Sequence, residues 1–354
     1  MNFKYLLKST CTVLSKLFRV KNNKSGSLCA QLNLEEQVGK SLENIVFDVE
    51  SLLQNKLKTT QQLKTRFKLM GGANNLGMLI HSGVDGNPIY ISKIEGCYLA
   101  GRELNFLEWQ NQIPAQQHVA PALLGQLKLG SNNFCALVMQ ALKPPLVYDA
   151  TKVIDLYQRM GCLSGSVARP DHPEPGKLQI LPIEPNTKIT KVIHYVVSQL
   201  HNEQAFDYAA KFLDERSLSF KGYESEFAQI YDFTVSLRSI TQDFDRNLYY
   251  GLLHGDFKKS NILEDVQGVF KVVDLQYYSY GVRLWDMAFY CSKETSHFEI
   301  SYEDLIKPLR LNPQQQKVFL LLYILASFLH VNEKNIKKIL RKKVKPAYAL
   351  LNSQ

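Results

Sequence analysis

Residues 252–276 carry the densest chemical signal in the chain: Leu252-Leu253-His254-Gly255-Asp256-Phe257-Lys258-Lys259-Ser260-Asn261-Ile262-Leu263, then Phe270-Lys271-Val272-Val273-Asp274-Leu275-Gln276. A polar loop bearing Asp256 and Asn261 runs into an apolar strand, a turn at Gly268, a second apolar strand, and an acid where that strand ends. Two strands joined by a short turn bring their outer ends together, so Asn261 and Asp274 are expected to meet around one hard cation. Oxygen donors of this kind suit Mg²⁺, which keeps several waters and is held by one or two carboxylates plus substrate phosphates. Asp256, five residues before Asn261, is then placed to orient a hydroxyl and take its proton. Asparagine and aspartates capping ordinary turns would not account for both spacings together.

His254-Gly255-Asp256, Asn261 and Asp274 resemble the catalytic and metal-binding motifs of the aminoglycoside phosphotransferase and choline kinase superfamily, small-molecule kinases with a protein-kinase-like fold. Ordinary protein kinases have Arg between the His and the Asp, and Phe-Gly after the metal acid. Gly255 and Leu275-Gln276 depart from both, toward the small-molecule kinases. Asp274, Tyr277, Tyr280, Arg283, Trp285 and Asp286 resemble, in their spacing, the metal acid of choline and ethanolamine kinases and the residues after it.

The resemblance implies an α+β, two-lobed fold with an antiparallel-sheet N-lobe and a mainly helical C-lobe. It implies ATP and Mg²⁺ as cofactors and a small-molecule hydroxyl as acceptor. It assigns Asp256 to catalysis, Asn261 and Asp274 to the metal, and His254 and Asp286 to bracing the loop. Gly71-Gly72-Ala73-Asn74-Asn75 is similar to the phosphate-covering loop, with Gly71, Gly72, Asn74 and Asn75 as nucleotide contacts. Lys93 resembles the strand lysine on the α- and β-phosphates. Glu103 resembles the helix acid that pairs with it, with Glu108 as competitor. Gln140 and Leu142, in Val138-Met139-Gln140-Ala141-Leu142, belong to the strand and hinge whose backbone meets adenine.

The rest of the chain fits around this segment. From Phe67 to Ile94 it reads as short strands and turns, with further strands at Ala120 to Leu124 and Phe134 to Met139. Lys143-Pro144-Pro145 breaks it. Helical periodicity resumes over Val147 to Cys162, Ile189 to Leu213 and Phe227 to Phe244, and five prolines between Ser164 and Asn186 predict a loop there. Residues 1–66 are therefore read as a basic helical extension, 67–143 as the nucleotide-binding lobe and 144–354 as the catalytic and acceptor-binding lobe.

A hydrophobic fraction of 45% excludes a disordered chain. Val318 to Leu329 is too short to span a bilayer. Six well-separated cysteines without a CxxC pair give no zinc site, and suggest reduced thiols in a cytoplasmic setting. Of a formal charge of +9, thirteen positive charges lie in residues 1–24 and 334–345, so the remainder carries −4. Nucleic acid is therefore not expected as a partner. For residues 1–24, contact with an anionic membrane surface, an organelle transit peptide and a helix packed on the body or a loose basic tail stay open, and for residues 334–345 a membrane contact or a solvated helix face. Two further functional readings stay open as well: a catalytically silent kinase-like binding protein, and a membrane-peripheral kinase of a lipid-linked or glycan alcohol. Sequence gives neither the oligomeric state nor the acceptor.

Overall fold

The structure is a computed structural model that describes residues 31, 33–57, 63–68, 75–130, 133–168 and 174–352. The chain divides into two compact units. The first holds residues up to Glu108 together with Pro121–Leu142, and the second holds Trp109–Ala120 and everything from Lys143.

The first unit is a five-stranded antiparallel sheet, β1 (Lys64–Lys68), β2 (Asn75–Ser82), β3 (Pro88–Gly96), β4 (Leu123–Leu129) and β5 (Phe134–Gln140), in the order β1-β2-β3-β5-β4. Helix α1 (Leu42–Leu57) buries Ile45, Val49 and Leu53 against Leu79, Ile94, Ala136 and Val138 on one face. This helix was expected in a separate extension, yet it shares one core with the sheet. Its apolar residues recur every three to four positions, so one helix face meets the apolar residues that β3 and β5 turn toward it. The period-2 alternation turns Lys93 and Glu95 to the other face, because their neighbours in register are Leu137 and Cys135 rather than Ala136. On that second face Cys97 and Cys135, distant in sequence, come to 2.9 Å between sulfurs.

The α1 face holds one polar relay. Ser92 donates to Nε2 of His81 at 2.8 Å, Nδ1–H of His81 donates to Thr65 at 2.8 Å, and the Thr65 hydroxyl donates to Glu50 of α1. Thr65 has one proton to give, which fixes His81 as the neutral Nδ1–H tautomer.

In the second unit, Pro313–Phe328 forms a helix buried on all sides from Val318 to Phe328. The stretch that is too short for a bilayer is thus a central core helix. Among the described residues no helix is long and apolar enough to cross a membrane. Two small antiparallel pairs lie in this unit, β6 (Tyr250–Leu253) with β9 (Ser279–Val282), and β7 (Ile262–Glu264) with β8 (Phe270–Val272). Helix α2 (Cys97–Gln110) belongs to the first unit up to Glu108, whereas α3 (Ala150–Cys162), α4 (Glu203–Ser217), α5 (Glu224–Ser236), α6 (Leu284–Glu294) and α7, the core helix, lie in the second.

The expected spans differ in three places. Residues 109–120 belong to the second unit because Val119 accepts Val272 N–H at 2.7 Å and His118 accepts the Lys271 ammonium. The single helix expected from Ile189 to Leu213 is broken after Val197, and the Asn202 side chain caps a fresh start at α4 by accepting Gln204 N–H at 3.0 Å. In the proline-rich excursion, Ala168 and Leu178 are buried and joined by a 2.9 Å backbone bond, and Gln179 accepts the Tyr278 hydroxyl at 3.2 Å. Of the basic ends, residues 1–24 lie outside the described residues. The second end is helical from Ile336, with Leu340, Lys343 and Val344 buried and Lys337, Lys338 and Arg341 exposed.

Burial holds the pKa of His81 down, to about 4, against about 6.5 in the unfolded chain. The unfolded state therefore takes up a proton between pH 6.5 and 4 that the folded state refuses. Stability from this site is full above pH 6.5 and falls by up to about 3 kcal/mol as the pH drops toward 4. Urea titrations over this interval should show the loss, and His81→Gln should flatten it.

Candidate active site

His254, Asp256 and Asn261 lie between β6 and β7, in a loop held from behind. Asp286, fully buried in the first turn of α6, accepts the backbone N–H of His254 at 2.7 Å and of Gly255 at 3.0 Å. Burial pushes the Asp286 carboxyl above its ordinary range, while His254, these two N–H groups and Arg283 act in the opposite direction. Trp285 donates its indole N–H to the Gly255 carbonyl at 3.0 Å. His254 donates from Nε2 to the Val273 carbonyl at 2.8 Å and accepts Asp256 N–H at Nδ1, 3.2 Å away. His254 thereby ties the loop to the residue before Asp274.

Gly255 is required by this geometry. Its φ of +85° is a region side chains avoid, and a Cβ there would lie 2.4 Å from the Tyr277 carbonyl oxygen.

The β7–β8 ladder continues one step past Ile262 and Val272, with Val273 N–H donating to the Asn261 carbonyl at 2.9 Å. Asp274 comes directly after, in the left-handed region at φ +64°, which is unusual for a non-glycine residue. Gln276 donates to its Oδ1 at 2.9 Å. Tyr277 registers the two acids together. Its hydroxyl pKa is raised by burial first, then by the charges of Asp256 and Asp274.

The Asp256 carboxylate is asymmetric. Its Oδ2 accepts both the Lys258 ammonium and the Asn261 amide N–H, the latter at 3.1 Å, and the Asn261 amide also reaches the Asp256 carbonyl at 2.9 Å. Among the described residues nothing bonds Oδ1. Lys258 and its pairing were missed at the sequence level; its only signal there is its place two residues after Asp256.

The first unit carries a separate charged group. Lys93 is 5% exposed, with its ammonium 2.6 Å from Glu103 of α2 and 3.0 Å from Glu95. Glu108 is exposed, so Glu103 is the lysine's helix partner. Glu95 was not anticipated; its i, i+2 spacing from Lys93 on one strand face was the available clue. Gly71, Gly72 and Asn74 lie outside the described residues, and Asn75 opens β2 opposite Glu95. At the end of β5, Gln140 N–H bonds Ala122 at 3.0 Å and Ala141 N–H bonds Ile89 at 2.9 Å. The Leu142 N–H has no partner among the described residues.

Comparison with solved structures gives the fold. A crystal structure of a thermostable mutant of an aminoglycoside phosphotransferase, in ternary complex with AMP-PNP and hygromycin B, aligns over 86% of this chain and 98% of its own, with 13% identity and a TM-score of 0.50. The chain has the two-lobed, protein-kinase-like fold of the small-molecule kinases. Also similar are an ethanolamine kinase of Plasmodium vivax (12% identity, 98% of this chain and 96% of that one, TM-score 0.48) and a putative fructosamine-3-kinase of Haemophilus somnus (14%, 86% and 96%, 0.46). No protein-family model and no curated protein sequence matches.

Two of the residues that follow Asp274 at the spacing noted above support the scaffold. Trp285 is buried beneath the loop, and Arg283 stacks on Tyr157 at 4.8 Å and bonds its carbonyl at 3.1 Å.

Two substitutions probe these supports. Gly255→Ala should lower stability by roughly 1–3 kcal/mol from the left-handed backbone alone, and by more from the carbonyl clash, measured as a lower urea midpoint. Lys93→Ala removes the buried cation that Glu103 and Glu95 share and should cost about 3–5 kcal/mol, whereas Glu108→Gln should change stability by less than about 0.5 kcal/mol.

Proposed function

We propose that the protein is an ATP-dependent phosphotransferase that moves the γ-phosphoryl group to a hydroxyl of a small molecule. The observation that carries this reading is the Asp256 carboxylate, with Oδ2 held by Lys258 and Asn261 while Oδ1 is left to accept a hydroxyl proton. Aligning the hydroxyl and removing its proton as the new bond forms is the task of such a base.

The donors at the loop fit a magnesium–nucleotide complex better than a metal held by protein alone. Among the described residues no group of three or more His, Cys, Asp or Glu side chains could hold a metal ion. An Asn carbonyl with one or two carboxylates is what Mg²⁺ uses when phosphates supply the other ligands. Asn261 and Asp274 are the residues that would hold it. When bound, the ion supplies neutralisation of charge on the phosphate oxygens.

The protein's own groups do the rest. The Asn261 amide N–H bonds Asp256, which turns its carbonyl oxygen away from that acid. Lys93, kept in place by Glu103 and Glu95, presents a compact charge for the α- and β-phosphates. The free N–H of Leu142 suits an adenine ring nitrogen, and the Gly71 to Asn75 loop would cover the phosphates. His254, Trp285 and Asp286 keep the loop fixed, so little reorganisation remains at the moment of transfer.

Asp256→Asn should reduce turnover on the order of 10²–10⁴-fold with nucleotide affinity kept; unchanged turnover removes the assignment. Asp274→Asn, which tolerates the left-handed backbone, should keep the thermal midpoint of the free protein. It should abolish the Mg²⁺-dependent increment of nucleotide affinity in calorimetry.

A further inference from the structure

Cys97 and Cys135 take no part in the chemistry described above, yet they meet on the sheet face that carries Lys93. In the β3–β5 ladder Glu95 lies opposite Cys135 and Gly96 opposite Phe134, and Cys97 N–H continues the ladder to the Asn133 carbonyl at 2.9 Å. Side chains alternate along a strand, so Lys93, Glu95 and Cys97 turn to one face, where the Cys97 and Cys135 sulfurs lie 2.9 Å apart as two thiols. A disulfide bond is about 2.05 Å long, so joining them asks the sulfurs to close by about 0.9 Å.

The two thiols differ in access. Cys135 is buried, and burial first, then the Cys97 sulfur, pushes its thiol up to about 12, with the Glu95 charge adding to this and Lys128 opposing it. Cys97 is half-buried, so it is the sulfur that a small oxidant reaches first. A peroxide completes the chemistry. The Cys97 sulfur attacks the O–O bond, giving a sulfenic acid and one water. The Cys135 sulfur then attacks the Cys97 sulfur and expels its hydroxyl, which leaves as a second water with the Cys135 proton. The two sulfurs lose two electrons and the peroxide gains them. Contact between the sulfurs supplies the proximity that a protonated thiol needs in the second step.

Such a bond would sit against the group that holds Lys93. Cys97 is the first residue of α2, the helix that carries Glu103, and Cys135 is the register partner of Glu95. The Lys93 ammonium is already in contact with both acids, 2.6 Å from Glu103 and 3.0 Å from Glu95. Drawing the start of α2 toward β5 therefore lengthens or misaligns that hold.

We infer that Cys97 and Cys135 form a reversible disulfide in response to a peroxide, and that this bond weakens nucleotide binding by displacing the supports of Lys93. The effect on nucleotide rests on the phosphotransferase reading above; the disulfide rests on the sulfur contact alone.

The test uses the full-length protein, first reduced and then treated with hydrogen peroxide. After alkylation of the remaining thiols, mass spectrometry of an unreduced digest should show the peptides of Cys97 and Cys135 joined, and dithiothreitol should separate them. Calorimetry with Mg²⁺ and AMP-PNP should show affinity at least about tenfold weaker in the linked protein than in the reduced one. Dithiothreitol, which does not repair methionine sulfoxide, should restore it. Cys97→Ser and Cys135→Ala should each bind nucleotide as the reduced protein does and lose the response to peroxide, whereas Cys162→Ser, at an exposed cysteine of the second unit, should keep it. Peroxide treatment that leaves Cys97 and Cys135 unjoined, or a loss of affinity that persists in both variants, overturns the inference. Linkage with nucleotide affinity unchanged leaves the phosphotransferase reading standing while this one falls. Failure of the reduced protein to bind Mg²⁺ with AMP-PNP removes that reading and the nucleotide effect together, and the digest then decides the disulfide by itself.

Discussion

The catalytic loop depends on one buried carboxylate. Asp286 takes two consecutive backbone N–H groups that no strand partner could reach, since β6 ends at Leu253 and Gly255 turns the chain at φ +85°. Buried N–H groups without acceptors are costly, and the cost of burying the acid is tolerable because it satisfies both. Trp285, its neighbour, fills the space below and donates to the Gly255 carbonyl that follows them. His254 then carries the constraint across to β8, where Asp274 begins its turn. Three chain segments, far apart in sequence, are thereby fixed to one another before any ligand arrives.

A second theme is the handling of charge by compartment. In the first unit an exposed-looking strand lysine is buried, and two acids surround it on the sheet face that α1 does not cover. In the second unit the Asp256 carboxylate is paired with Lys258 of its own loop.

Much of this was legible because it is local. The spacing from His254 to Asp274 placed the loop, the hairpin and the terminal acid, since short antiparallel strands make register depend on nearby sequence. The five strands were also readable from alternation, although β1 begins before Phe67 and β4 runs past Leu124. The features that were not legible depend on long-range packing. No periodicity shows that α1 completes the sheet's core, that residues 109–120 pair with β8, or that Cys97 meets Cys135. That Trp285 is a buried support beneath the loop also depends on packing.

The account's central claim is that Asn261 and Asp274 share one nucleotide-bound divalent ion within reach of Asp256. A crystal structure of the protein with Mg²⁺ and AMP-PNP addresses it directly. The account predicts Mg²⁺–oxygen distances of about 2.0–2.1 Å from Asn261 Oδ1 and an Asp274 carboxylate oxygen, with Asp256 Oδ1 facing the γ-phosphate. Mg²⁺ bound by other side chains, or a nucleotide seated away from this loop, would contradict it.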